Sequence, residues 1–335
     1  MKFAIDVFGG DNAPSAIIEG CLEALQLHND FGLILFGDEA RIREELSGKE
    51  YDASRIETVH APDVITCEEQ PTHAVTKKPD SSLVRALRAV ADKEAECFIS
   101  AGSTGAVLAG AIFKVKRIPG IKRPALAPIM PTLQGPEMLI DCGANVDSKP
   151  EYLVQFSLMG SAYMKGVMGI ESPRVALINN GTEEEKGNEL TKAAYQLLKS
   201  TPGINFVGNC EPRDVMSGDY DVLVCDGFVG NTVLKSIEGT ASAIMKMLKT
   251  EIMAKKRSKI GALLCRSAFR TLKKRMDYSE YGGAPLLGIN GGIIKAHGSS
   301  DAHAFASAIG QARKLVIGDI TNKIAEAAAS IHIDS

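Results

Sequence analysis

Residues 221–235 read DVLVCDGFVGNTVLK, which places a buried strand, a glycine turn and the start of a helix within one short stretch. Residues 222–225 form an apolar run of strand length, and Asp226-Gly227 then ends it. Gly230 allows the backbone to approach a ligand closely, while Asn231 or Thr232 can cap the following helix. A helix start with free N–H groups binds anions, so this stretch predicts an anion-binding junction.

Three other stretches repeat this pattern: FAIDVFGGDNAP at 3–14, CFISAGSTG at 97–105 and VALINNGTEEEKG at 175–187. In open α/β sheets the ligand binds where the strands end, at their carboxyl edges. Four such junctions therefore favour one shared pocket lined by backbone amides. For any single junction the alternative stays open that glycine serves turn geometry alone.

Composition indicates an ordinary globular protein. The chain has 335 residues, of which 45% are hydrophobic and 24% charged, and this length suits one large or two modest domains. We predict a single catalytic α/β domain over 1–335. The N-terminus lacks a signal-peptide pattern and no apolar run reaches membrane-span length, so we expect a cytoplasmic protein. The seven cysteines form no C-x-x-C pair and are interpreted as reduced core residues.

Two basic side chains are candidate site residues. Glu183, Glu184 and Glu185 near a helix start are stabilised by its dipole, whereas Lys186 is unfavourable there unless it meets an anion. We therefore interpret Lys186 as a phosphate contact, with a solvated lysine as the alternative. His297 directly precedes a long predicted helix, and it is either an acid or base that contacts the ligand or a turn histidine.

Residues 246–276 form a predicted basic amphipathic excursion. Between 246 and 275 there are eleven basic residues and one acid, so this segment carries +10 while the whole chain carries −3. On a continuous helix one face collects Lys259, Arg266, Arg270, Lys273 and Lys274, and the opposite face is apolar. Such a helix meets an anionic lipid layer or an acidic protein. Nucleic acid is not predicted, because interleaved aromatic residues are missing apart from Phe269. The alternative is a solvated basic helix whose apolar side lies in the core.

Common catalytic motifs are missing. The sequence contains no G-x-G-x-x-G, no Walker-type loop, no H-E-x-x-H, no G-x-S-x-G and no clustered Cys/His set. We therefore predict no cofactor and no metal.

Seven motifs in order along nearly the whole chain resemble the phosphate acyltransferase (PlsX) family of bacterial phospholipid synthesis. They are IDVFGGDNAP, SAGSTGA, DCGAN, NNGTEEEKGNE, DVLVCDGFVGN, MDYSEYGGAPLLGINGG and AHGSSDAHA. The family's usual opening has Ala-Met where this chain has Val7-Phe8, an apolar exchange beside the glycines.

The resemblance implies a reaction in which inorganic phosphate and a long-chain fatty acyl thioester of acyl carrier protein give acyl phosphate for phosphatidic acid synthesis. It also implies a three-layer α/β/α sandwich with a mixed, mostly parallel sheet, related to isocitrate/isopropylmalate dehydrogenases and phosphotransacetylases. A homodimer and peripheral contact with the inner face of the cell membrane are implied as well. The carrier protein is acidic, so the excursion has two candidate partners, and its apolar face favours the membrane.

This chemistry requires little acid or base catalysis, because phosphate is already a nucleophile and a thiol with a pKa near 8.5 is a good leaving group. Orientation and oxyanion stabilisation suffice. We place His297 and Ser299 near the thioester, and Lys186 with the phosphate. Asp6, Asp11, Asp141 and Asp226 are interpreted mainly as ordering the loops, because like charges repel. The predicted phosphate or substrate site comprises Gly9, Gly10, Asp11, Asn12, Ser103, Thr104, Gly105, Asp141, Asn145, Asn180, Gly181, Asp226, Gly227, Gly230, Asn231 and Thr232.

Two other functions stay open. One is a phosphotransacetylase-like enzyme that uses acyl-coenzyme A as its donor. The other is a non-catalytic membrane-associated scaffold whose function is the basic helix.

Overall fold

Two sheets contain the strands of this computed structural model, which describes residues 1–276 and 282–330, excepting the side chains of 273–276. In chain order the strands are β1 (Lys2–Asp6), β2 (Gly32–Gly37), β3 (Ile56–His60), β4 (Cys97–Ser100), β5 (Ala125–Leu126), β6 (Ile129–Pro131), β7 (Pro136–Ile140), β8 (Arg174–Ile178), β9 (Asn205–Cys210), β10 (Val222–Val224), β11 (Ala284–Leu287) and β12 (Gly292–Lys295).

Helices connect most of these strands. They are α1 (Ser15–Leu27), α2 (Glu39–Leu46), α3 (Pro71–Lys77), α4 (Ser82–Ala91), α5 (Thr104–Gly110), α6 (Pro150–Met168), α7 (Glu189–Ser200), α8 (Gly227–Ala254), α9 (Lys256–Leu264), α10 (Arg266–Met276), α11 (Ala302–Ile317) and α12 (Ile320–Ser330). A π-helical turn, Ala111–Val115, extends α5, and single 3₁₀ turns occur at Ala53–Arg55 and Pro212–Asp214.

The larger sheet has the order β3-β2-β1-β4-β12-β11-β5, with its first five strands parallel. Its strands are apolar runs because helices cover both faces. Phe3 and Ile5 pack in the same core cluster as α1 and α11, whereas Ala4, between them, packs with α4. This alternation produces a helix–sheet–helix arrangement around the larger sheet.

The smaller sheet has the order β6-β7-β10-β8-β9, and only β6 runs antiparallel to its neighbour. Residues 125–131 join the two sheets, because β5 pairs with β11 and β6 pairs with β7. The backbone N–H of Cys142 also donates to Leu126 O at 2.9 Å. One core cluster includes residues of both sheets. The shared core supports a single domain over 1–335, which stays a prediction.

The α/β class and the mixed, mostly parallel strand arrangement are confirmed. The division of the strands between two sheets was not predicted, because local patterns do not reveal which strands pair. The predicted helix cap after β10 was wrong. Asp226 caps α8 by accepting from Val229 N–H at 2.8 Å, so Asn231 and Thr232 lie inside the helix.

The basic excursion is helical but not continuous, because the chain is extended at Lys255 and bends again at Cys265. Lys259 therefore belongs to α9 while Arg266 and Arg270 belong to α10, so the prediction of one continuous helix was wrong, and a basic face shared by these residues stays a prediction. No residue of α9 is buried, and Ile260, Leu263 and Leu264 are more than 60% exposed. Within the described part of the chain, no helix has the length and apolar character that a membrane crossing requires.

Candidate functional site: a cleft between the two sheets

Three loops of the larger sheet meet where the parallel strands β1, β4 and β12 end side by side. The backbone N–H of Asp11 donates to Gly298 O at 2.8 Å, and Asn12 Nδ2 donates to the carbonyls of Ser299 and Ser300 at 3.2 Å each. Gly10 has φ +107°, and a Cβ there would lie 2.8 Å from Ala101 Cβ. The β1 loop is thus bonded to the β12 loop and pressed against the β4 loop.

Asp6, the last residue of β1, holds this junction together through its side chain. Its carboxylate accepts from Ser82 Oγ at 2.6 Å and from Ser100 Oγ at 2.7 Å, and Ser100 Oγ in turn accepts from Gly102 N–H. Burial raises the pKa of Asp6, although these hydroxyl donors oppose the rise. The side chain therefore orders two loops and is fully engaged within the protein.

Asp141, which follows β7 in the smaller sheet, orders its loop in the same way. Its Oδ1 accepts from the N–H groups of Leu126 and Ala144, and its Oδ2 accepts from the backbone and the side chain of Asn145. Burial raises the pKa of Asp141 to about 6. Gly227 N–H donates to Asn145 O at 2.7 Å, so this turn packs on the start of α8.

A cleft of about 680 Å³ lies between these two sets of loops. Its walls are mostly apolar, and they include Leu126, Pro128, Ile129, Met130, Leu234, Ile237 and Leu272. A smaller group of its lining side chains can bond to a charged or polar ligand: Thr104, Asn231, Lys235, Glu238, Lys295, His297 and Ser300. The cleft thus combines a long apolar space with one polar, cation-bearing region.

Lys295 is the most unusual side chain of the polar region, because it is only 8% exposed. Its ammonium donates to the carbonyls of Ala296 and Ala101. Burial lowers the pKa of Lys295 to about 8, while Cys67, Asp6 and Asp11 act in the opposite direction. An anion in the cleft would supply the charge partner that this ammonium lacks within hydrogen-bonding distance among the described residues.

Lys235 adds a second cation from α8. Its Nζ lies 2.7 Å from Glu238 Oε2, which holds it at the cleft wall. Burial, followed by the charge of Lys235, lowers the pKa of His297 below its ordinary value of 6.5. His297 is therefore neutral at pH 7.

The hydrogen bonds of His297 also define its tautomer. Ser299 N–H can only donate, and it lies 3.3 Å from His297 Nδ1, so Nδ1 is an acceptor. Ser299 Oγ lies 2.8 Å from the same nitrogen and donates to it as well. In the neutral ring the proton is then on Nε2. His297 consequently offers an N–H donor, and Ser299 orients the ring.

The residues predicted from sequence fall into three groups. Thr104, Asn231 and His297 line the cleft. Most of the others build its loops: Gly9, Gly10, Asp11, Asn12, Ser103, Gly105, Asp141, Asn145, Asp226 and Gly227. Gly230 and Thr232 complete this second group from inside α8, where Gly230 N–H donates to Asp226 O and Thr232 Oγ1 donates to Phe228 O.

The third group lies on the β8 loop. Asn180, Gly181 and Lys186 are not among the described residues that line the cleft. This loop is closed on itself, because Asn179 Nδ2 donates to Lys186 O at 3.0 Å and Lys186 N–H donates to Glu183 O. The roles predicted for these three residues stay predictions.

Sequence reasoning missed Lys235, Lys295 and Ser300. The sequence carries no local signal for the burial of Lys295, because a lysine that ends an apolar run such as GGIIK is ordinarily exposed. No group of three or more His, Cys, Asp or Glu side chains suited to a metal ion occurs among the described residues.

Comparison with known proteins gives one family. The family model described as fatty acid synthesis protein matches residues 1–323. A phosphate acyltransferase of Clostridium perfringens is 55% identical over 326 residues, which cover 97% of this chain and 96% of the relative. A phosphate acyltransferase of Clostridium botulinum is 51% identical over 328 residues, with 97% and 98% covered.

Solved structures agree on the fold. A phosphotransacetylase from Streptococcus pyogenes superimposes with a TM-score of 0.61 at 16% identity, covering 94% of each chain. At that identity the likeness shows the fold alone. The predicted likeness to the phosphotransacetylase fold is confirmed.

Proposed function

This chain belongs to the fatty acid synthesis protein family whose curated relatives are named phosphate acyltransferases, and from that premise we propose that it transfers a long-chain acyl group from a thioester to inorganic phosphate. The products are an acyl phosphate, a precursor for phospholipid synthesis, and a free thiol. One observation carries the proposal: a single cleft joins a long apolar space to a region with two lysines and a histidine.

Lys295 and Lys235 would hold the phosphate. Burial of the Lys295 ammonium strengthens its attraction for an anion, because the effective dielectric constant is lower there than in water. Thr104, which lines the same cleft, supplies a hydroxyl group. These groups orient the phosphate, which is the main requirement because the anion is already nucleophilic.

The reaction then needs one further element, a donor for the oxyanion. A phosphate oxygen attacks the thioester carbonyl, and negative charge develops on the carbonyl oxygen. In this proposal His297 Nε2–H donates to that oxygen, and the contacts of its ring with Ser299 support the role. The C–S bond breaks as the intermediate collapses, and the thiolate takes a proton from water.

We propose acyl carrier protein as the thioester donor, because the large basic excursion borders the cleft and the carrier is acidic. Acyl-coenzyme A is the competing donor, and the phosphotransacetylase-like fold favours keeping it in the test. Purified protein is incubated with phosphate and either palmitoyl carrier protein or palmitoyl-coenzyme A. We expect thiol release that depends on phosphate and is faster with the carrier.

Faster release from coenzyme A would favour the phosphotransacetylase-like alternative. No phosphate-dependent release from either donor would favour a non-catalytic scaffold. Acyl phosphate is identified directly by trapping it with hydroxylamine.

The excursion formed by the outer part of α8 with α9 and α10 is proposed to bind the inner face of the cell membrane. Its apolar residues Ile260, Leu263 and Leu264 are exposed beside basic residues of α9 and α10. Leu272 of α10 also lines the cleft, so docking here would bring the cleft mouth to the lipid. A homodimer is proposed from the family resemblance, and light scattering of the lipid-free protein tests it.

Reversing three charges is expected to abolish lipid binding. Each basic residue near an anionic surface contributes about 1 kcal/mol, so Lys259→Glu/Arg266→Glu/Arg270→Glu should weaken binding to vesicles containing phosphatidylserine by at least 100-fold. The matched control reverses the exposed Lys93, Lys192 and Lys323. Vesicle co-sedimentation measures both variants, and equal losses would remove the excursion as the lipid-binding surface.

A further inference from the structure

A second cavity of about 300 Å³ adjoins the cleft, and the buried side chain of Ile129 lines both. One face of α11 also passes from one space to the other. Ala304 lines the cleft, while Ser307 and Gln311, three and seven residues further on, line the second cavity. The two spaces therefore lie in series, and Ile129 stands at their junction.

The lining of the cleft is exposed in one part and buried in another. Leu133 and Leu272, which line it, are 86% and 42% exposed, whereas Ile129 is 4% exposed. A donor that carries its acyl group on a large carrier cannot enter, so it must present the chain tail first from the exposed part. A tail whose thioester carbonyl lies at His297 can extend along Ser300 and Ala304, which line the same cleft, toward the buried Ile129.

The second cavity differs in chemistry from the cleft. Gln311 is 7% exposed and its Nε2 donates to the buried Tyr163 hydroxyl at 3.2 Å, while its Oε1 has no hydrogen-bond partner among the described residues. An alkyl tail that passed Ile129 would bury this amide end without a partner, which is unfavourable. Ile129 is thus a steric wall, backed by a polar space.

We propose that Ile129 is the wall at which the acyl tail ends, so that the size of the side chain at position 129 determines the preferred chain length. This inference rests on the proposed acyl transfer and names its specificity-determining residue. Shortening the side chain vacates space for the tail on the cleft side of Gln311, and enlarging it shortens the apolar space.

The test uses the full-length protein with phosphate and a mixture of carrier thioesters from 10 to 18 carbons. Trapped acyl products are quantified by mass spectrometry for the wild type, Ile129→Val, Ile129→Ala and Ile129→Phe. Each buried methylene changes binding about fourfold. For Ile129→Ala we therefore expect kcat/KM for a chain two carbons longer than the wild-type optimum to rise about tenfold relative to kcat/KM for the optimum chain itself. Ile129→Val should move it less, and Ile129→Phe should favour shorter chains.

Ile121 provides the matched control, because it is equally buried at 4% but is not among the described residues that line either space. Ile121→Val should keep the wild-type length profile, and thermal melting identifies the variants that fold. Adding Gln311→Leu to Ile129→Ala should extend the optimum further. If every folded Ile129 variant, including Ile129→Val, kept the wild-type chain-length profile, the proposed role of Ile129 would be wrong. The proposed acyl transfer would not be affected by that result. If the wild type formed no acyl phosphate from any donor, the proposed acyl transfer and the proposed role of Ile129 would both be wrong.

Discussion

Lys295→Met is expected to lower kcat/KM for phosphate by about 10² to 10³, the size of effect that follows the loss of one preorganised charged donor. Methionine retains the length of the side chain but removes the ammonium, which lies in the wall of the cleft at 8% exposure. Phosphate would then meet an apolar surface at this point. The measurement is acyl phosphate formation over a range of phosphate concentrations.

A pH profile separates loss of charge from loss of packing. Because the pKa of Lys295 is about 8, the wild type should lose the cation as pH rises above that value, and the KM for phosphate should rise up to about tenfold per pH unit. Lys295→Met should show no such rise. A variant whose KM still rises in parallel with that of the wild type would exclude Lys295 as the titrating group.

Variants at two further lysines test whether the loss of activity is specific to Lys295. Lys192→Met, on the exposed side of α7, is the control and should keep wild-type activity. Lys186→Met tests the prediction from sequence that Lys186, on the β8 loop, is one of the phosphate contacts. If Lys186→Met lost activity while Lys295→Met kept it, the phosphate site would have to be moved to that loop.

The fold was predictable because its evidence is local. Apolar runs such as those of β1, β2 and β10 end in glycine and polar residues, and each is followed by a helical pattern. The break of the excursion at Cys265 was not predictable from periodicity, since helix-forming residues continue on both sides. The cap at Asp226 was available in the sequence, but Asp226-Gly227 was interpreted as the end of the strand and the cap was predicted at Asn231 or Thr232.

The site was only partly predictable because it depends on which strands are neighbours. The junctions after β1 and β4 meet because those strands pair in one sheet, and the β12 loop joins them for the same reason. The β8 junction has the same local pattern, but the smaller sheet contributes to the cleft through the junctions after β7 and β10, and not, among the described residues, through the one after β8. Lys295 was missed for a related reason, because its burial comes from strands that are distant in sequence.

Glu137→Gln is expected to remove a large pH dependence of stability. Glu137 lies in β7, is 0% exposed, and neither of its carboxyl oxygens has a hydrogen-bond partner among the described residues. Burial is the main cause that raises the pKa of Glu137 to about 8; Asp221 and Asp219 raise it further and Arg174 opposes them. The folded protein therefore holds this proton more tightly than the unfolded chain, whose glutamate has an ordinary pKa of 4.5.

The direction in which stability changes with pH follows from these two pKa values. The stability that the protonated carboxyl contributes is fully present below about pH 4.5 and is lost as pH rises to about 8, because the folded state must then bury a charge. With 1.36 kcal/mol per pKa unit, the loss between pH 5 and pH 9 is roughly 4 kcal/mol. Glutamine stays neutral throughout, so the stability of Glu137→Gln relative to the wild type should rise by this amount over the same range.

Urea unfolding at pH 5, 7 and 9 measures the difference between the two proteins at each pH. The change of this stability difference with pH is the decisive quantity, because an unpartnered glutamine amide also lowers stability by an amount that does not change with pH. Glu57→Gln, at an exposed position of β3, is the control and should show no comparable trend. If the curves of wild type and Glu137→Gln ran parallel from pH 5 to pH 9, Glu137 would already be ionised or screened in the folded protein, and burial would not govern its proton.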